Sequence, residues 1–292
     1  MRFRSRAELR ELARRVEGDG WSTLVVPDHL GSASSFAPLL IAAEATHSLR
    51  VGTLVINNDF FHPLRLAQEA ATVDVLSDGR LELGLGSGWA RPEYDVLELS
   101  YDRPRERAAR LGDAVRTMKR AWSGEITLPG RAGPVTAAPA PAQRPHPPLL
   151  IGGHGDSILT LAATEANIVG FTGLTWTGSA AAPTGASLEA LTERASFVRA
   201  KAGHRADELE LNVLVQAVSI GRPLEEQVEE IAAQGGLSAE LVRNSPLALV
   251  GSQGEVVSKL QAIREQTGIS YFVVFDSALE DMEPVVAELA GT

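Results

Sequence analysis

The sequence contains no cysteine. That removes disulfides, thiolate nucleophiles and zinc–thiolate sites together, and makes a reducing cytoplasm the expected compartment. Lysine is scarce as well: Lys119, Lys201 and Lys259 are the only three among 27 basic residues. Against 37 acidic residues these leave a formal charge of −10, so a nucleic-acid site would need a basic patch working against the overall field. None is visible; Arg10, Arg14 and Arg15 lie among acidic residues on what reads as a solvated helix face. No apolar run approaches the roughly 20 residues needed to span a bilayer, and the start, MRFRSRAELRELARR, has no apolar signal core. The six histidines show no close pairing with carboxylates, so no metal site is expected. Ser87 lacks the flanking pattern of a nucleophile elbow. What the chain does have is 44% hydrophobic and 22% charged residues over 292 positions, enough to bury a large core in a soluble protein.

Helical and extended patterns alternate along the chain. Leu9, Leu12, Ala13 and Val16 recur at helical spacing over 6–18, a β-rich run follows at 22–26, and a second helix spans 36–46. The run LRVGTLVI at 49–56 is apolar on both faces, as strands of buried parallel sheets are. Helix 63–77, strand 81–86 and helix 104–122 continue the alternation. A proline-rich excursion at 124–147 interrupts it before strand 149–153, helix 156–166 and strand 168–171. A Gly/Ala/Thr/Ser-rich loop at 172–186 precedes helix 188–203 and strand 209–220. Helices within 223–245 and 252–267, strand 271–275 and a helix from Met282 complete the pattern. The expectation is a single (β/α)8 TIM barrel over residues 1–292, with 124–147 and 172–186 as surface excursions. Seven strands are clear, and the eighth, Met1–Arg4, is shortened or missing.

In such barrels chemistry sits where strands end. Asp28 and His29 follow the strand at 22–26; Asn57, Asn58 and Asp59 follow the next. Gly86-Ser87-Gly88-Trp89 and Gly152-Gly153-His154-Gly155 follow the two after that. An imidazole titrates near neutrality, which makes His29 a candidate general acid or base that Asp28 can orient or charge, although Pro-Asp-His is also good turn chemistry. Asn57 and Asn58 offer amides to a ligand, or simply end a strand. GLGSGW is half of a dinucleotide fingerprint with no acidic residue at the following strand end. Its glycines, like those at 152, 153 and 155, offer bare backbone to a flat ring or a phosphate, or else make tight turns. With neither nucleophile nor metal in evidence, a bound organic cofactor is the expected source of the chemistry.

Taken in order, VVPDH, RVGTLVINNDFFHPLRLAQEAATVDVLSDGRLELGLGSGW and PHPPLLIGGHG resemble the bacterial luciferase-like monooxygenase superfamily, and within it the actinobacterial oxidoreductases that depend on the deazaflavin coenzyme F420. The resemblance implies a β/α barrel holding a tricyclic ring at the strand carboxyl ends. By that resemblance Asp28 and His29 sit beside the ring, with His29 the proton-transfer partner. A cis peptide is implied at Leu54-Val55 and a cofactor contact at Asn57. Gly86, Ser87 and Gly88 would flank the ring, and Gly152, Gly153, His154 and Gly155 would meet its phosphate tail. Some deazaflavin relatives carry a glutamate as catalytic acid where this chain has Trp89. Trp89 and, in the 172–186 loop, Trp176 are expected to border the substrate.

The expected function is therefore hydride transfer between coenzyme F420 and a small organic substrate, in a cytoplasmic homodimer without nucleic-acid or membrane partners. The alternatives are an FMN-dependent monooxygenase on the same fold and a non-catalytic barrel that has lost turnover.

Overall fold

In the computed structural model the described residues are 5–173, 175–177, 180–183, 185–235 and 237–291. The segment Met1–Arg4, expected as the first strand, lies outside them, as does the side chain of Trp176. The described residues form two compact units. One runs to Gly152 and includes Glu165–Asn167; the other comprises Gly153–Thr164 and the chain from Ile168 onward.

The first unit is built on parallel strands in the order Thr23–Val26, Arg50–Thr53, Leu81–Gly86, Leu149–Gly153. Val26 pairs with Thr53, Val51 with Leu81, and Leu83 with Leu149. Every residue of Leu81–Gly86 is buried, which accounts for a run without polar alternation. Glu82 is the exception in chemistry, and it is met by the guanidinium of Arg50.

The strand expected as one piece over 49–56 is two. After Thr53 the chain passes through a cis Leu54–Val55 peptide and resumes at Ile56–Asn57, which pairs with Leu85 and Gly86. At the break the Thr53 hydroxyl donates to Gly84 O at 2.8 Å and accepts from Gly84 N at 2.9 Å, so a side chain takes over the ladder's hydrogen bonds. Gly84 has no room for more, since a Cβ there would stand 1.9 Å from Thr53 O.

Helices of this unit are closed by local chemistry. The Ser5 hydroxyl caps Arg6–Gly18 by accepting from Glu8 N, and Leu9, Ala13 and Val16 of that helix are buried. Pro104 opens Pro104–Trp122, with Glu106 accepting from Arg103 N at 3.0 Å. A six-residue helix, Arg91–Val96, was not expected from the sequence. The excursion at 124–147, read as irregular, contains a small antiparallel hairpin in which Thr127–Leu128 faces Val135–Thr136.

The second unit has parallel strands Ile168–Phe171, Glu210–Leu214 and Ile269–Val273, with Glu210–Leu214 between the other two. The expected strand 209–220 divides near Gln216, because Gln216 N and Ala217 N both turn to Leu247 O, at 2.7 and 3.2 Å. Ala217–Ile220 then pairs in parallel with Ala248–Gly251, a strand the sequence reading left between two helices. The loop at 172–186 carries an antiparallel pair, Thr175–Thr177 with Ala180–Ala182. Among the described residues no helix is long and apolar enough to cross a membrane.

Candidate active site

The strand Thr23–Val26 ends at Pro27, which puts Asp28 and His29 at its carboxyl end. Asp28 Oδ2 accepts from Asn57 N at 3.0 Å. Burial pushes the Asp28 carboxyl above the ordinary carboxylate range; the Asn57 N–H and the neighbouring His29 offset this in part, and Glu93 adds to it. The turn reading of Pro-Asp-His also holds, since Ser32 N donates to His29 O at 3.1 Å and the Ser35 hydroxyl to Pro27 O at 3.2 Å. The imidazole of His29 is nevertheless left 38% exposed. Its Nδ1 lies 2.8 Å from Glu93 Oε1. The ring packs edge-on against Trp89, with centroids 5.4 Å apart and planes at 76°.

Beneath this pair lies a polar platform. Tyr94, fully buried, places its hydroxyl 3.1 Å from Asn57 Oδ1, 3.0 Å from Asp59 Oδ2 and 3.3 Å from Ser87 O. Burial pushes its pKa upward, so the phenol stays protonated and donates. Arg110 holds Asp59 by a two-pronged contact, both bonds 2.8 Å. Arg107 donates to Ser87 O at 3.0 Å and Gly88 O at 3.2 Å, and its guanidinium stacks 4.0 Å above the Tyr101 ring.

Gly88 has φ +76°, and a Cβ there would lie 2.0 Å from Tyr94 Oη. A Cβ on Gly86 would lie 2.6 Å from Val55 Cγ2. Glycine at 86 and 88 is thus required by the protein's own packing, whatever the outer face of the turn receives. Asn58 is 3% exposed, and its Oδ1 has no hydrogen-bond partner among the described residues. A buried acceptor left in that condition costs about 1–3 kcal/mol, and a ligand donor would relieve it.

Asp28, His29, Asn57, Gly86, Ser87, Gly88 and Trp89 are therefore gathered in the first unit, together with the Leu54–Val55 bend that sets Val55 against Gly86. Gly152 ends the last strand of that unit. Gly153, His154 and Gly155 belong to the second unit. There a Cβ on Gly153 would meet Ile158 Cγ2 at 2.4 Å, whereas one on Gly155 would meet nothing within 4 Å. The His154 ring covers Gly185, and burial pushes its pKa down. Gly155 precedes the helix Asp156–Glu165, where Asp156 Oδ1 accepts from Arg194 Nη1 at 2.6 Å.

Reading the sequence missed Glu93, Tyr94, Arg107 and Arg110. Arg-Pro-Glu just past a strand end was the available signal for Glu93: proline in the first turn of a helix with an acid behind it. A carboxylate does reach His29, from position 93 rather than from position 89.

Residues 4–271 match the family described as luciferase-like monooxygenases. Among curated relatives, an F420-dependent glucose-6-phosphate dehydrogenase of Nakamurella multipartita is 33% identical over 218 residues, 70% of this chain and 61% of the relative. The oxygenase component of a flavin-dependent trigonelline monooxygenase from Acinetobacter baylyi is 31% identical over 152 residues, 49% of this chain and 42% of the relative. The chain thus spans less than two thirds of the length of these relatives. Among solved structures, the monooxygenase RslO1 of Streptomyces bottropensis is similar with a TM-score of 0.75 at 23% identity, over 98% of this chain and 93% of that one. The fold is accordingly the α/β, TIM-barrel type of the luciferase-like proteins.

Proposed function

Since the chain belongs to the luciferase-like monooxygenase family, we propose that it is an F420-dependent oxidoreductase acting on a small organic substrate. The observation that carries the reading is His29: a half-exposed imidazole at a strand's carboxyl end, 2.8 Å from Glu93 and adjoining the half-buried Asp28. When bound, the deazaflavin supplies or accepts the hydride. Oxidising an alcohol to a carbonyl also releases the hydroxyl proton, and the reverse reaction consumes one. His29 takes up or returns that proton. Asp28 sets the charge beside it, and Trp89 gives the substrate an aromatic wall.

The residues present fit such a cofactor. Asn58 Oδ1 offers a ring N–H an unused buried acceptor, and Gly155 leaves open backbone ahead of a helix, where a phosphate is favoured. In this reading Leu54, Val55, Asn57 and the Gly86-Ser87-Gly88 turn border the ring, and Gly152, Gly153, His154 and Gly155 meet the tail. The resemblance to the family extends the proposal to a cytoplasmic homodimer.

The flavin-dependent relative favours a second reading, an FMN-dependent monooxygenase using the same strand ends. Titrating the purified protein with F420 and with FMN, each followed by fluorescence, separates the two. Tighter binding of F420 is expected. Tighter binding of FMN overturns the choice of cofactor, and binding of neither by a well-folded sample favours a barrel without turnover.

A further inference from the structure

We propose that Glu93 is the positioning residue of this site: its carboxylate fixes a proton on His29 Nδ1, so that Nε2 is the atom that exchanges a proton with substrate. The inference rests on the oxidoreductase reading above and names how its acid–base group is held.

An ionised carboxylate can only accept. At 2.8 Å, Nδ1 must therefore carry the hydrogen whether the ring is neutral or charged. Nε2 is left as a lone pair in the neutral ring and as an N–H in the charged one, the two states of an acid–base pair. No described residue makes a hydrogen bond to it. Free imidazole side chains favour the opposite tautomer, with the hydrogen on Nε2, so Glu93 imposes a state the ring would not hold alone.

An exposed ion pair would carry little weight here, but Glu93 is not one. Its side chain is 15% exposed, against 64% for both Arg91 and Asp95 on the same short helix. The helix is held in this rotation by its neighbour: Tyr94 is fully buried and its hydroxyl is engaged with Asn57 and Asp59. Glu93 N also donates to Ala90 O at 2.9 Å. The carboxylate is thus aimed by buried groups on the strand ends rather than by a flexible surface turn. Asp28, the other acid beside His29, spends one oxygen on Asn57 N.

The test is the 15N chemical shift pattern of the His29 ring in the cofactor-free protein, recorded above the imidazole's titration. Wild type should show the Nδ1–H tautomer. Glu93→Ala should revert to the Nε2–H form. With cofactor and substrate, kcat of Glu93→Ala should fall roughly a hundredfold with KM and cofactor affinity within about twofold of wild type. An identical tautomer in wild type and Glu93→Ala overturns the proposal. So does a fall confined to KM. Should Glu93→Ala fail to fold, a Nε2–H tautomer in wild type overturns it equally. The ring spectrum needs no cofactor, so a protein that binds neither F420 nor FMN refutes the functional reading without touching the assignment of Glu93.

Discussion

Glu17 and Asp28 are carboxylates of the same unit with opposite surroundings. Glu17 Oε1 accepts from His47 N, Ser48 N and Leu49 N at 2.8, 2.7 and 3.0 Å and from the Ser48 hydroxyl at 3.1 Å. These bonds, the Ser48 N–H foremost, hold its carboxyl down to about 2. Asp28 receives one backbone N–H, and burial pushes it up. Glu17 fastens the segment that enters Arg50–Thr53, whereas Asp28 follows the end of Thr23–Val26. The rest of the unit repeats the contrast. Just before Leu81–Gly86, Arg80 donates to Ala43 O, Leu49 O, Ser77 O and the Thr46 hydroxyl at 2.7–3.1 Å. Past the carboxyl ends, Asn58 Oδ1 has no partner among the described residues and His29 is half open. At Glu17 and Arg80 the amino ends are saturated, although Asp19 Oδ2 and Trp21 Nε1, just before Thr23, also lack a hydrogen-bond partner among the described residues. At Asp28, His29 and Asn58 the carboxyl ends are left open, and the contrast between these groups is the division between stability and chemistry expected of this architecture.

Arg80 is the strongest lever on that division. Arg80→Met keeps most of the aliphatic stem and strips the donors from several carbonyls at once. A buried acceptor without a partner costs about 1–3 kcal/mol, so the variant should lose at least about 3 kcal/mol by urea midpoint at constant m. A loss below about 1 kcal/mol would mean that water replaces the guanidinium freely and that the amino ends are not specially sealed.

Glu17→Gln should come next, at about 1–3 kcal/mol at neutral pH, and it carries a pH signature. The folded-state pKa lies below the ordinary value of 4.5, so fewer protons are bound folded than unfolded. The stabilisation is present in full above about 4.5 and is lost as pH falls toward about 2. Denaturant midpoints across that window should fall more steeply for wild type than for Glu17→Gln. Parallel slopes would remove Glu17 from the account.

The same division governs what could be read without coordinates. Asp28 and His29 were legible because a strand's end is marked locally, by Val-Val giving way to Pro-Asp-His. Leu81–Gly86 was legible because burial on both faces leaves a continuous apolar run. Ala248–Gly251 was not, since four small and apolar residues between helices carry no period of their own. The Leu54–Val55 bend was expected through family resemblance; nothing in LRVGTLVI interrupts its apolar pattern there. Glu93 stayed hidden for a different reason. Its helix has six residues, and the direction of its side chain depends on where Tyr94 is anchored, which is a contact to Asn57 and Asp59 far away in sequence. Saturated groups behave similarly: nothing local tells that Glu17 will meet residues 47–49.

Asp28→Asn should have the smallest effect on stability and decides whether the contrast is real. Its folded-state pKa is raised, so the folded protein resists the charged form, and that cost appears as pH rises past the ordinary aspartate range. At neutral pH asparagine removes the partly buried charge while its carbonyl can still accept from Asn57 N. The variant should match wild type or exceed it by about 0.5–1 kcal/mol, with the gain vanishing in acid, where Asp28 is itself protonated. Cofactor-dependent turnover should drop even as the midpoint rises, because the charge beside His29 is gone. A gain in stability coupled to a loss of activity is what a residue held for chemistry gives. If Asp28→Asn instead unfolds more easily at neutral pH, as Glu17→Gln should, then Asp28 is one more structural fastening and the carboxyl ends are built no differently from the amino ends.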